Sequence, residues 1–272
     1  VNLLKRILTA LVSVPIILPI LIYAPKEATL AFFALAVMIA LFEYYAMAFK
    51  DDTTARRFSA LVGTLLFCAW GIGIIYTLAP VVFHLSLLCA FVAIFFFFLF
   101  RVGDMQTVGV RAASSAFGVF YVVLLAIYLV ALHNLDNGWK YVLLIFAINW
   151  MNDTGAYFAG KSLGKRKFYE LVSPNKTWEG SFGGILATIV AAFLFNWMLS
   201  LNIAFYHLVI LAVVGGYLGQ IGDLCESLLK RSFDIKDSGN IIPGHGGILD
   251  RIDAVLFGAP FAYYYLTLTG IA

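Results

Sequence analysis

The chain has 272 residues, of which 62% are apolar and 12% charged, with a formal net charge of +3 and a mean hydropathy of +0.95. Soluble domains carry about a quarter of their residues as charged side chains, so this composition excludes a soluble globular fold. A hydrocarbon core of ~30 Å takes roughly 20 helical residues, and backbone in lipid must satisfy its own hydrogen bonds, so the reading is an all-α polytopic membrane protein.

In chain order, apolar runs fall at residues 7–24, 28–49, 58–79, 81–100, 112–133, 139–160, 181–199, about 205–229 and 254–272. These make about nine transmembrane helices. The first run follows Lys5 and Arg6 but has no clear small-x-small cleavage site, and it is read as an uncleaved span. The runs 58–100 and 181–224 are each about twice the length of one span, with Pro80 and Ser200-Leu201-Asn202 as their only breakers, so each is expected to be a tight hairpin. With a cytoplasmic N-terminus, all 18 basic residues except Lys26 and Lys140 fall on one side of the membrane. The positive-inside rule therefore supports nine spans, a cytoplasmic N-terminus and an outside C-terminus.

Residues 1–134 form an N-terminal region of about five spans, with Glu43 and His84 as polar exceptions inside them. An intramembrane acid is a functional candidate, but no second carboxylate lies near Glu43, and bonding within the bundle is the simpler role. Cys68, Cys89 and Cys225 are spaced for neither a disulfide framework nor a zinc site. Residues 135–272, about four spans with two cytoplasmic polar loops, hold nearly all the suggestive chemistry.

Gly155 to Ser162 satisfies the phosphate-loop pattern G-x-x-x-x-G-K-[ST], but that motif opens a helix after a strand, and this copy closes a span. Gly155, Ala156, Ala159 and Gly160 are better read as a close helix-packing face, with Lys161 at the rim. At about 1.5 Å per residue, Asp153 lies ~21 Å from Trp139 and Asp223 ~24 Å from His207, which puts both in the cytoplasmic leaflet. Asp250 and Asp253 open the ninth span at a similar level. Asp223 and Glu226, like Asp250 and Asp253, are three apart and share a helix face. Clustered bare carboxylates repel one another, and a divalent cation relieves this. An all-oxygen set with open coordination suits Mg²⁺, so Asp223 and Asp250 are expected as metal ligands, supported by Asp153, Glu226 and Asp253.

Tools for phosphate surround these acids. Lys230, Arg231, Lys236 and Arg251 supply positive charge, while Gly244, Gly246 and Gly247 let backbone N–H groups approach an anion. His245 between them is a candidate hydrogen-bond donor or acid. The preceding loop presents Ser173, Lys176, Thr177 and Glu179 where a helix begins, and helix N-termini attract anions.

The run Ser227-x-Leu229-Lys230-Arg231, then Lys236-Asp237-x-Gly239, then Pro243-x-His245-Gly246-Gly247-Ile248-x-Asp250-Arg251-x-Asp253 resembles the signature of the phosphatidate cytidylyltransferase, or CDP-diacylglycerol synthase, family without departure. Ser173-Pro174-x-Lys176-Thr177-x-Glu179-Gly180 is similar to the same family, and the likeness covers roughly residues 150–255. It implies a nucleotidyltransferase of phospholipid biosynthesis in which CTP and phosphatidic acid give CDP-diacylglycerol and pyrophosphate, dependent on Mg²⁺ with or without a second cation. Phosphate is already a competent nucleophile, so catalysis is mostly positioning and charge neutralisation, with Asp223, Asp250, Lys230, Arg231, His245 and Arg251 as catalytic candidates. Ser173, Lys176, Thr177, Glu179, Lys236, Gly246 and Gly247 are the substrate-binding candidates. The resemblance also implies a multi-pass protein of the cell inner membrane, its site facing the cytoplasm, a homodimer, and no nucleic-acid partner. Two other readings are a lipid phospho-transferase, whose Asp-Gly-x-x-Ala-Arg type motif is absent, and a cation transporter, which would place acids at several depths.

Overall fold

The computed structural model describes residues 15–239, 241 and 246–272 of the chain. Among the described residues, 15–23 are helical (α1), and the first part of the first expected span, residues 7–14, lies outside them; α2 (Lys26–Ala48), α3 (Thr53–Ile75), α4 (Pro80–Leu99), α5 (Met105–Gly118), a π-helical turn (Val119–Val123), α6 (Leu124–Asn134) and α7 (Gly138–Leu163) follow. A short hairpin, β1 (Lys167–Tyr169) and β2 (Ser173–Thr177), leads into α8 (Trp178–Met198), α9 (Phe205–Ser232) and α10 (Leu249–Leu268).

Six of these segments are long and apolar enough to cross a membrane: α2, α3, α4, the continuous run Met105–Asn134, α8 and α9. The chain is a multi-pass membrane protein. Helices α7 and α10 coincide with the sixth and ninth expected spans but fall outside those six. Polar residues explain this: α7 carries Asn149, Asn152, Asp153 and Thr154, and α10 carries Asp250, Arg251, Asp253 and Tyr263 to Tyr265.

Both long apolar runs break into two helices at the expected places. Pro80 occupies the first turn of α4, where its missing N–H costs nothing. Between α8 and α9, Ser200 and Asn202 adopt left-handed backbone (φ 49° and 57°), and Asn196 Oδ1 accepts the Ile203 N–H at 3.0 Å. The fifth run starts earlier than its apolar residues suggest, because Asp104 caps α5 by accepting the Gln106 N–H at 3.0 Å.

Two compact units make up the described chain. One comprises the residues up to Asn134 together with Asp237–Arg251; the other comprises Leu135–Lys236 and Ile252–Ala272. In the first unit, α2 buries Tyr44 and Tyr45. Tyr45 donates its hydroxyl proton to the Ser115 carbonyl at 2.6 Å. The Val119 N–H turns to Ala116 O, the regular ladder is interrupted, and the π-helical turn follows. A hydroxyl inserted into the ladder is a known cause of such a turn.

Just beyond the C-terminal end of α2, Asp52 caps α3 by accepting the Ala55 N–H at 2.9 Å. The same carboxylate meets the guanidinium of Arg111 and, at 3.6 Å, that of Arg101. Burial pushes the Asp52 carboxyl up, but the Ala55 N–H and the two guanidiniums outweigh it and hold it below the usual carboxylate range.

In the second unit, α7 and α8 lie in close contact along small residues. A Cβ at Gly155 would come 2.5 Å from Ala187 Cβ and 2.8 Å from the Gly183 carbonyl, and one at Gly180 would come 2.9 Å from the Ala156 carbonyl. Side chains would force the helices apart, so this stripe is the packing face read from the sequence.

A depressed carboxylate contributes stability above its unfolded value of about 3.9 and loses it as pH falls through the folded value. Asp52→Asn is therefore expected to unfold at a lower temperature than wild type at pH 7, with the gap closing as pH falls below about 4. Thermal unfolding in detergent across pH checks this, and a gap unchanged at low pH would contradict the pairing.

Candidate active site

The second unit gathers four acids. On α9, Asp223, Glu226 and Lys230 recur at helical spacing and share a face. Asp223 accepts from the Lys176 ammonium at 2.5 Å and from the Ser227 hydroxyl at 3.3 Å. Glu226, fully buried, accepts from Lys230 at 2.7 Å. Asp253, which precedes the apolar part of α10, is 7% exposed. The carboxylates of Asp223, Glu226 and Asp153 are near enough to act on it electrostatically. Asp153 itself is exposed on α7.

This set suits a hard cation in its donor chemistry: oxygen only, more than one carboxylate, and strain among like charges that a dication would relieve. Among the described residues, no three acids, histidines or cysteines stand together at metal-ligand spacing. Instead, lysine ammoniums occupy two of the four carboxylates, so Asp223 and Glu226 are balanced by Lys176 and Lys230.

Lys176 reaches Asp223 from the β hairpin that precedes α8. The hairpin pairs Lys167 with Thr177 and Tyr169 with Ser173. Thr177, nearly buried, caps α8 by accepting the Gly180 N–H at 3.1 Å. Glu179 Oε2 accepts the N–H groups of Lys165 and Arg166 at 3.1 and 3.2 Å. Thr177 and Glu179, expected at substrate, therefore shape the strand-to-helix junction that presents Lys176, while Ser173 opens β2.

The signature segment Asp237–Arg251 lies in the first unit. Asp250 Oδ2 accepts the N–H groups of Gly247 at 2.8 Å and Ser238 at 3.2 Å, tying the two ends of the loop together. Gly246 sits at φ +79°, and a Cβ there would fall 2.7 Å from Asp250 Oδ2, so the clasp needs glycine. Arg251 is exposed, as are Arg231 and Lys236 of the second unit; Arg231 also donates to the Ile235 carbonyl at 3.3 Å. Gly244 and His245 lie outside the described residues.

Sequence reasoning missed a polar network in the second unit. Buried Asn152 donates to the Gly216 carbonyl at 2.8 Å and accepts from Gln220 at 2.9 Å. Gln220 in turn accepts the Ser181 hydroxyl proton. Gln220 lies three residues before Asp223 and Asn152 immediately precedes Asp153, so the network fixes the helices that carry the acids. The available signal was polar residues inside apolar runs.

The phosphate-loop look-alike is helical to its end. Ser162 donates to the Phe158 carbonyl at 2.7 Å, and Lys161 lies over the Tyr157 ring at 5.9 Å.

With that geometry established, residues 4–269 match the cytidylyltransferase family, and the chain belongs to it. It is 49% identical over 142 residues to the phosphatidate cytidylyltransferase of Bacillus subtilis, covering 52% of this chain and 53% of that protein. It is 40% identical over 149 residues to the protein of that name from Staphylococcus haemolyticus, covering 55% and 56%. The chain thus spans about half the length of the curated relatives it matches.

Ser162→Ala is expected to leave turnover within about twofold of wild type, because its hydroxyl serves only the helix. A loss of a hundredfold or more would restore the nucleotide-cradling reading.

Proposed function

We propose that the chain transfers a cytidylyl group from CTP to phosphatidic acid, giving CDP-diacylglycerol and pyrophosphate. The observation that carries this reading is the group of four acids in the second unit, two of them balanced by lysines. A phosphate oxygen of phosphatidic acid forms the new bond to the α-phosphorus of CTP. The bond from that phosphorus to the bridging oxygen breaks, and its electron pair leaves with pyrophosphate. No serine or cysteine nucleophile is required.

Asp223 would hold Mg²⁺, supported by Glu226, Asp253 and Asp153, and Asp250, three residues before Asp253 on α10, is kept as the other ligand expected from the sequence. When bound, the ion neutralises the charge that gathers on the phosphates. The residues of the chain do the rest. The ammoniums of Lys176 and Lys230, paired here with Asp223 and Glu226, would bind phosphate oxygens if a cation replaced them at those carboxylates, and exposed Arg231, Lys236 and Arg251 would add to the attraction. Ser173, Gly246, Gly247 and His245 offer hydroxyl, backbone and imidazole donors. Thr177 and Glu179 act on substrate through the position of Lys176.

The topology proposed with this chemistry has nine spans, a cytoplasmic N-terminus and an outside C-terminus in the cell inner membrane. The site then faces cytoplasmic CTP, and the lipid keeps its acyl chains in the bilayer. A homodimer is the assembly proposed.

The test is purified protein in detergent with labelled CTP and phosphatidic acid, following label into the lipid phase. Mg²⁺-dependent labelling is expected in wild type and a loss of at least about a thousandfold in Asp223→Asn and Asp250→Asn. No labelling from folded wild type under any divalent ion would overturn the reading. Wild-type-like activity in either variant would remove that residue from the metal set.

A further inference from the structure

Glu43 lies within α2, one of the segments apolar enough to cross a membrane, and its side chain is not exposed there: the residue is 5% accessible. A carboxylate in such a place needs donors, and all those found here come from the signature segment. Glu43 Oε1 accepts the Ile248 N–H at 3.0 Å. Its Oε2 accepts the Leu249 N–H at 2.8 Å and the Ser238 hydroxyl proton at 3.4 Å. Ile248 and Leu249 bring the N-terminal N–H groups of α10, which lack intrahelical partners and favour an anion.

The approach is close enough to dictate the loop's sequence. A Cβ at Gly239 would lie 2.5 Å from Glu43 Oε1, and one at Gly247 would lie 2.5 Å from Oε2. Glycine on both strands of the loop is what lets the carboxylate in. Asp250 ties Ser238 to Gly247 from within the segment, and Glu43 ties the same neck to α2, about two hundred residues earlier in the chain.

We propose that Glu43 is a positioning residue of the transferase: its carboxylate clasps Ser238, Ile248 and Leu249 and fixes the start of α10, and with it Asp250, for the nucleotide phosphates. This rests on the function proposed above and adds a residue that the signature does not contain. Glu43 touches no reacting atom and acts only through the loop.

The experiment uses the full chain in detergent and reads two quantities: kcat/KM for CTP, and hydrogen–deuterium exchange at the Ile248 and Leu249 amides. Glu43→Gln replaces one acceptor oxygen with an NH₂ group that faces N–H donors. It is expected to lower kcat/KM about tenfold without abolishing it, and to speed exchange at those two amides about tenfold, with α8 amides unchanged. Glu27→Gln, on the same helix and bonded to Tyr76, changes neither. Gly239→Ala crowds the same carboxylate and reproduces both effects, which keeps the test open if Glu43→Gln folds poorly. Full turnover in folded Glu43→Gln, or slowed turnover with unaltered exchange at Ile248 and Leu249, would overturn the proposal. If wild type itself transfers no label from CTP, the function reading fails, and with it the claim on turnover. The exchange measurement still decides separately whether the clasp exists.

Discussion

The constraint on which the structure depends is that a carboxylate inside an apolar helix bundle must be neutralised or hydrogen-bonded where it stands. The chain meets this in two ways. In the first unit, Glu43 and Asp250 are satisfied by backbone N–H groups of one loop. In the second, Asp223 and Glu226 are satisfied by ammoniums from Lys176 and Lys230. Backbone partners fix a conformation, whereas lysine partners on long flexible stems can be exchanged for another cation.

That difference divides the labour. Glu43, held by donors of the signature segment, belongs to its scaffold, whereas the lysine-bonded acids are the part that a metal and a polyphosphate would remodel under the proposed function. Asp253 is buried within electrostatic reach of Asp223, Glu226 and Asp153, so a dication bound as proposed would relieve more repulsion there than at an exposed site. The polar network of Asn152, Gln220 and Ser181 and the small-residue contact of α7 with α8 hold the acid-bearing helices in place.

Much of the fold was legible because a bilayer allows few solutions. Apolar runs, Pro80 and the Ser200 turn placed the helices, and the early start of α5 escaped notice because its cap, Asp104, lies outside the apolar run. At the site, the helical spacing of Asp223 and Glu226 put them on one face. The lysine partners were less readable: Lys176 and Lys230 looked like phosphate ligands, and nothing in the order of residues shows which acid each one meets. Glu43 was the hardest case, because its donors are backbone groups some two hundred positions away. The capping bonds of Thr177 and Glu179 were not read from the sequence, because capping and anion binding draw on the same residue types at a helix start.

Under the proposed function, the second unit's carboxylates would give up their lysine partners to a divalent cation. Mn²⁺ binding followed by electron paramagnetic resonance tests it without reliance on turnover. Wild type in detergent is predicted to immobilise Mn²⁺, with Mg²⁺ competing for the site, and Asp223→Asn is predicted to lose that signal while remaining folded. A wild type that leaves the ion free in solution, or an Asp223→Asn variant that binds it unchanged, would contradict the account.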